Sequence, residues 1–115
     1  MAETFDKDEL LDRVDNDWEF LAETVQMLQS DGQSAMHQIR EAMSAGDAPS
    51  LGRAAHALKG IVSNFCSPQT QAIALEVEQM GKSGDLSAAP EAVDILGSRL
   101  EALLGELATF VKERT

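Results

Sequence analysis

The residues of this chain best suited to chemistry form a pentad near its middle, His56-Ala57-Leu58-Lys59-Gly60. A neutral imidazole is a competent nucleophile, and its reference pKa of about 6.5 leaves much of it neutral at physiological pH. Lys59 follows the histidine by three residues, which on a helix places a cation within reach of an anionic group carried on the ring. The pentad therefore predicts transfer of an anionic group through His56.

Glycines stand one helical turn on either side of His56, at Gly52 and Gly60. Each of them weakens a helix interior by about 1 kcal/mol relative to alanine, so its presence calls for a compensating role. A glycine one turn from the ring removes the side chain that would stand beside the imidazole, which lets a partner surface approach. We expect Gly60 to give the partner access, and Gly52, Arg53 and Ser63 to contact it.

The segment that carries His56 has the apolar spacing of an amphipathic helix. At about 100° per residue its apolar side chains fall within a stripe of roughly 120°, and His56 lies about 140° from Leu51. The imidazole is therefore predicted to face solvent. The apolar stripe consists of Leu51, Ala54, Ala55, Leu58, Ile61, Val62 and Phe65.

Two helices are predicted before this one. Asp6 and Glu9 have the spacing of a capping box and open a short helix over about residues 7–14. Asp15 or Asn16 then caps a long helix that runs over about residues 17–45. Gly46 lies in the turn that follows this second helix.

The remaining boundaries follow from turn and capping residues. Asp47 or Ser50 is expected to cap the His56 helix, which is predicted over about residues 49–66. Ser67-Pro68 has the form of an N-cap followed by proline at the first helical position, and this helix is expected to end between residues 81 and 84. The last helix is predicted over about residues 88–113.

Short turns between long helices force sequential neighbours to run in opposite directions. The sequence therefore predicts an all-α fold, an antiparallel four-helix bundle with a short extra N-terminal helix over one end. Alanine, leucine and glutamate are plentiful and tyrosine is absent, and no segment alternates as a strand would. We expect residues 1–115 to form a single domain and the protein to be a monomer.

The charge and the cysteine count exclude several classes of function. A net charge of −11 opposes binding to nucleic acid and to anionic membrane surfaces. Cys66 is the single cysteine and cannot form an internal disulfide, and no basic stretch with an apolar run opens the chain. We expect a cytoplasmic protein. His37 lacks partners for a metal set, so neither a metal site nor a cofactor is predicted.

The segment Ala54-Ala55-His56-Ala57-Leu58-Lys59-Gly60 resembles the motif of histidine-containing phosphotransfer domains, which is His-x-Leu-Lys-Gly after one or two alanines. Other parts of the chain resemble the family in the same order, so the likeness covers nearly the whole chain. These are the opening 5–11, the loop at 42–47, and Val77-Glu78 through Lys82-Ser83-Gly84-Asp85.

The resemblance implies that His56 accepts a phosphoryl group from an aspartate of a response-regulator receiver domain and passes it to another such aspartate. Lys59 would balance the phosphate charge and Gly60 would admit the partner, either a free response regulator or a hybrid histidine kinase. The partner is expected to carry the divalent metal. The protein would be a phosphocarrier of two-component signalling rather than an enzyme.

Four positions depart from the family pattern. Ile61 and Val62 replace the small residues usual after the lysine-glycine pair, and Cys66 stands where glycine is common. Both aliphatic residues lie on the core side of the helix, so we expect altered packing rather than a blocked histidine. Lys82 replaces the usual arginine, which keeps the charge but loses bidentate geometry.

The residues are also compatible with two other functions. One is a helical interaction module that binds a receiver or a histidine kinase through the same face and never acquires phosphate. The other is an enzyme with His56 as general base, but no carboxylate lies three or four residues from His56 on its own helix to orient the ring.

Overall fold

The computed structural model describes residues 5–114, and within that range it contains five α-helices and no strand. The first four residues and Thr115, which the predicted domain includes, lie outside the described residues. The elements in chain order are α1 (Lys7–Arg13), α2 (Trp18–Ala45), α3 (Ala48–Val62), a 3-10 turn (Ser63–Phe65), α4 (Pro68–Ser83) and α5 (Ala89–Arg114). The all-α prediction is confirmed.

Aspartates begin the first three helices. Asp6, Asp17 and Asp47 each accept a hydrogen bond from the backbone N–H three residues later, which satisfies one of the free donors at a helix start. The caps at Asp6 and Asp47 agree with the sequence prediction. Asp15 and Asn16 were predicted to cap α2 and do not, because their φ angles of 54° and 58° place them in a left-handed turn before it.

The α-helical part of α3 is shorter than predicted. It ends at Val62 and tightens into the 3-10 turn, after which Cys66 adopts a left-handed φ of 54°. A left-handed residue cannot continue a right-handed helix, so the chain turns at Cys66. The hydroxyl of Ser67 donates to Thr70 Oγ1 at 2.8 Å instead of capping α4 through the backbone.

The four long helices form a closed ring in which α3 packs between α2 and α4, and α5 completes the ring against both α4 and α2. Successive helices run antiparallel, as predicted. Apolar side chains from all four fill the centre, and they include every member of the predicted α3 stripe, with Ile61 only partly buried. This arrangement leaves one face of α3 free for solvent.

The short helix α1 covers the C-terminal end of α3. The Asp6 N–H donates to the carbonyl of Cys66 at 2.9 Å, and Arg13 donates to the carbonyl of Ser63 at 3.2 Å. Leu10 is buried beneath the helix. The N-terminal segment therefore fixes the end of the helix that carries the pentad.

Within residues 5–114 no helix combines the length and apolar character needed to cross a lipid bilayer.

Candidate functional site

His56 lies on the solvent-facing side of α3, with its side chain 67% exposed. Its neighbour Ala55 and the residue two positions on, Leu58, are fully buried. The helical period thus turns the imidazole outward while the flanking apolar side chains anchor the helix in the core. The orientation predicted for His56 from the sequence is the one observed.

Glu78 of α4 orients the ring. One of its carboxylate oxygens, Oε2, lies 2.9 Å from His56 Nδ1, and the Glu78 side chain is only 3% exposed. This contact was not predicted from the sequence, because Glu78 lies on a different helix from the histidine. A signal was present, since Glu78 interrupts an otherwise apolar stripe of α4 formed by Ile73, Ala74, Val77 and Gly81.

Two lysines neutralise the buried carboxylate. Lys59 Nζ lies 2.7 Å from Glu78 Oε1, and Lys82 Nζ lies 3.2 Å from Oε2. The Lys59 ammonium is the main cause that lowers the pKa of Glu78 from its usual 4.5 to about 2, and Lys82 and His56 act in the same direction against the effect of burial. Glu78 is therefore a carboxylate at physiological pH.

The ionised state of Glu78 fixes the protonation pattern of a neutral His56. A carboxylate can only accept hydrogen bonds, so the hydrogen between the two groups belongs to Nδ1. The second ring nitrogen, Nε2, then carries a free lone pair. Because the imidazole is exposed, this lone pair is available to a reactant that arrives from outside the protein.

The two glycines that flank His56 have different environments. Gly60 is exposed, and a Cβ at its position would have no atom within 4 Å apart from its own helix and chain neighbours, so the open flank predicted on that side is present. Gly52 was expected to face a partner, but it is buried against α4. A Cβ there would lie 3.4 Å from the Glu78 carbonyl oxygen. Gly52 therefore allows two helices to cross closely.

Arg53 and Ser63 lie one to two turns from His56. Arg53 is exposed and donates to Ser50 Oγ at 3.1 Å, which holds the guanidinium at the N-terminal end of α3. Ser63 is half-buried and its hydroxyl donates to the carbonyl of Gly60 at 2.7 Å. Arg53 remains open to a partner, whereas the Ser63 hydroxyl is engaged within its own helix end.

The residues that depart from the family pattern leave the ring open. Val62 is fully buried and Ile61 packs partly against the core, on the side away from His56. Cys66 is buried at the turn after α3, as a small apolar residue would be. These residues do not obstruct the histidine, whose side chain is 67% exposed, and the altered packing expected from the sequence stays a prediction.

Two comparisons with known proteins give a match, one for the sequence and one for the fold. A family model described as "Hpt domain" matches residues 23–110. The fold superimposes on the crystal structure of histidine-containing phosphotransfer protein B from Pseudomonas aeruginosa PAO1 with a TM-score of 0.90, at 19% sequence identity over 98% of each chain. No curated protein sequence gives a significant match.

Proposed function

Because this chain belongs to the Hpt domain family of two-component phosphotransfer modules, we propose that His56 accepts a phosphoryl group from an aspartate of a receiver domain and passes it to the aspartate of another. The observation that carries this proposal is the bond between His56 Nδ1 and the buried Glu78, which leaves Nε2 exposed as the nucleophile.

In the accepting step, the Nε2 lone pair attacks the phosphorus of an aspartyl phosphate on the partner. The bond between phosphorus and the aspartate oxygen breaks, and the carboxylate leaves with the electron pair. The new bond to Nε2 makes the ring a cation that keeps its hydrogen on Nδ1. Glu78, ionised and in contact with Nδ1, stabilises this cation.

The surface around His56 favours an anionic reactant although the whole chain is acidic. Helix α3 carries no aspartate or glutamate, and Lys59 and Lys82 both contact Glu78, the carboxylate that holds the histidine. The carboxylate that faces them, Glu78, is buried beneath the ring rather than on the surface. Two ammonium groups against one carboxylate leave a local excess of positive charge, which favours the approach of a phosphorylated acidic site.

The remaining machinery belongs to the partner. Transfer of a phosphoryl group requires in-line approach and compensation of charge on the equatorial oxygens, and α3 and α4 supply a nucleophile and cations. Within residues 5–114 no group of three histidine, cysteine or acidic side chains has the arrangement of a metal site. We propose that the receiver domain brings the divalent metal together with the acceptor aspartate.

The decisive experiment is phosphoryl transfer from radiolabelled receiver domains of the source cell to the purified protein. We expect an acid-labile, base-stable label on the wild type and none on His56→Gln. His37→Gln is the matched control, because His37 is the chain's other histidine, lies exposed on α2 and pairs with Glu41. The His37→Gln protein should retain the label.

Binding distinguishes the alternative function. A receiver that binds the wild type and His56→Gln with equal affinity, while phosphate never appears on the wild type, would identify a non-transferring interaction module. Label that persists on His56→Gln would reject the assignment of the phosphorylated residue.

A further inference from the structure

The two lysines on Glu78 have unequal surroundings. Lys59 is 25% exposed and contacts Oε1, whereas Lys82 is 71% exposed and contacts Oε2 at the longer distance of 3.2 Å. Oε2 also accepts the hydrogen bond from His56, but Oε1 is fully buried and has no hydrogen-bond partner apart from its ionic contact with Lys59. Oε2 thus has two neighbours that carry a positive charge or donate a hydrogen bond, and Oε1 has one.

This difference between the two oxygens decides which lysine ammonium can leave Glu78. Withdrawal of Lys59 would leave a charged oxygen buried with no compensation, which is among the most costly arrangements in a protein. Withdrawal of Lys82 exposes no such oxygen, because His56 Nδ1 still donates to Oε2. Lys82 also has the greater freedom to move, since most of its side chain is in solvent.

We propose that Lys82 is the cation that moves from Glu78 to the phosphoryl oxygens once Nε2 of His56 is phosphorylated, whereas Lys59 stays on Glu78 and acts on His56 only through that carboxylate. This division of roles rests on the proposed phosphorylation of His56. It differs from the sequence expectation, which gave the phosphate charge to Lys59. Lys59 and Glu78 are then positioning residues, and Lys82 contacts the transferred group.

The exchange balances without any proton transfer. Phosphorylation adds a dianionic group at Nε2 and a positive charge on the ring, while Nδ1 keeps its hydrogen bond to Oε2. The Lys82 ammonium and Nδ1 contact the same oxygen, at 3.2 Å and 2.9 Å, so Lys82 starts on the side of Glu78 that the ring occupies. When Lys82 moves, it loses its contact with Oε2, which the ring still satisfies. It gains a charge-assisted contact with the phosphoryl group.

The test uses the His37→Gln protein, in which His56 is the remaining histidine, phosphorylated chemically with phosphoramidate, whose phosphoryl group passes to Nε2 with loss of ammonia. Spectra of the lysine side-chain NH₃⁺ groups are recorded before and after phosphorylation, with Lys59→Gln and Lys82→Gln used to assign the two signals. We expect the Lys82 signal to shift and the Lys59 signal to stay in place. A shift of Lys59 alone, or equal shifts of both, would overturn the proposal.

A second measurement follows the ³¹P signal of the phosphorylated protein as a function of pH. A cation beside the phosphoryl group disfavours its protonation, so Lys82→Gln should raise its proton affinity about threefold. Lys82→Arg should restore the wild-type titration, and Lys112→Gln, which removes a lysine charge from the exposed face of α5, should leave it unchanged. A titration that Lys82→Gln does not alter contradicts the proposal.

The two proposals fail in different ways. If no receiver domain phosphorylates the protein, the proposed relay function falls, but the chemically phosphorylated protein still reports on the lysines. If receivers label His56 and the Lys59 signal is the one that shifts, the relay stands and the division of roles is wrong.

Discussion

Gly81 of α4 packs directly on Gly52 of α3. A Cβ on Gly81 would meet the backbone nitrogen of Gly52 and would lie 2.7 Å from the carbonyl oxygen of Ala48. The crossing lies about one helical turn from both His56 and Glu78, which follow Gly52 and precede Gly81 along their helices. Close approach of the two backbones therefore sets the distance at which the buried carboxylate meets the imidazole.

Gly81→Ala should destabilise the protein although alanine is the better helix former. The added methyl group meets backbone that cannot rotate away, and overpacking of this kind costs about 1–3 kcal/mol, more than the gain of up to about 1 kcal/mol in helix propensity. Denaturant unfolding followed by circular dichroism measures the change. Gly105→Ala is the control, because a Cβ there meets nothing within 4 Å and should stabilise α5. Equal stabilisation by both substitutions would mean that the helices do not cross closely.

The position of His56 could be predicted because helical periodicity is a local property of the sequence. Its contact with Glu78 could not, because neither α3 nor α4 alone determines the register between them. Gly52 shows the same limit: a glycine beside a functional residue suits either partner access or helix crossing, and only the position of α4 decides. The N-cap of α2 was predicted too early in the chain, because two residues in left-handed conformation, Asp15 and Asn16, precede the helix.

Asp17→Ala should destabilise α2. The Asp17 carboxylate accepts the backbone N–H of Phe20 at 3.0 Å, and loss of such a cap costs about 1 kcal/mol. Asp15→Asn removes the same charge two residues earlier and keeps a residue type that tolerates a φ of 54°, so it should change stability by less than about 0.5 kcal/mol. The free energy of unfolding in urea compares the two variants. A loss for Asp17→Ala no larger than that for Asp15→Asn would contradict the assignment of Asp17 as the cap.

The protein should become less stable as the pH falls, because Glu78 then takes up a proton. The pKa of Glu78 is about 2 in the folded protein and has the ordinary value of 4.5 when the chain unfolds, so the unfolded state binds the proton more readily. The stabilisation from ionised Glu78 is therefore complete above about pH 4.5 and is lost as the pH falls toward 2. Glu78→Gln removes this titration.

Guanidinium unfolding at a series of pH values tests this linkage. The gap in unfolding free energy between the wild type and Glu78→Gln should stay constant above about pH 4.5 and narrow as the pH falls toward 2, at a rate set by the difference in bound protons. Glu76→Gln removes an exposed carboxylate from the same helix and should show a gap that stays nearly constant. A constant gap for Glu78→Gln as well would show that Glu78 is not held ionised by Lys59.

Gly60→Ala should stabilise the protein but slow phosphoryl transfer from a receiver domain. No atom lies within 4 Å of the added methyl group beyond its own helix and chain neighbours, so the helix gains up to about 1 kcal/mol, as it does in the control Gly105→Ala. The methyl group stands one turn from the imidazole on the face that we propose the receiver domain contacts. Transfer from a phosphorylated receiver should therefore slow about tenfold, which corresponds to about 1.4 kcal/mol, while labelling by the small donor phosphoramidate stays unchanged. Gly105→Ala should transfer at the wild-type rate, and the same rate in Gly60→Ala would show that the bare flank of the histidine has no part in docking.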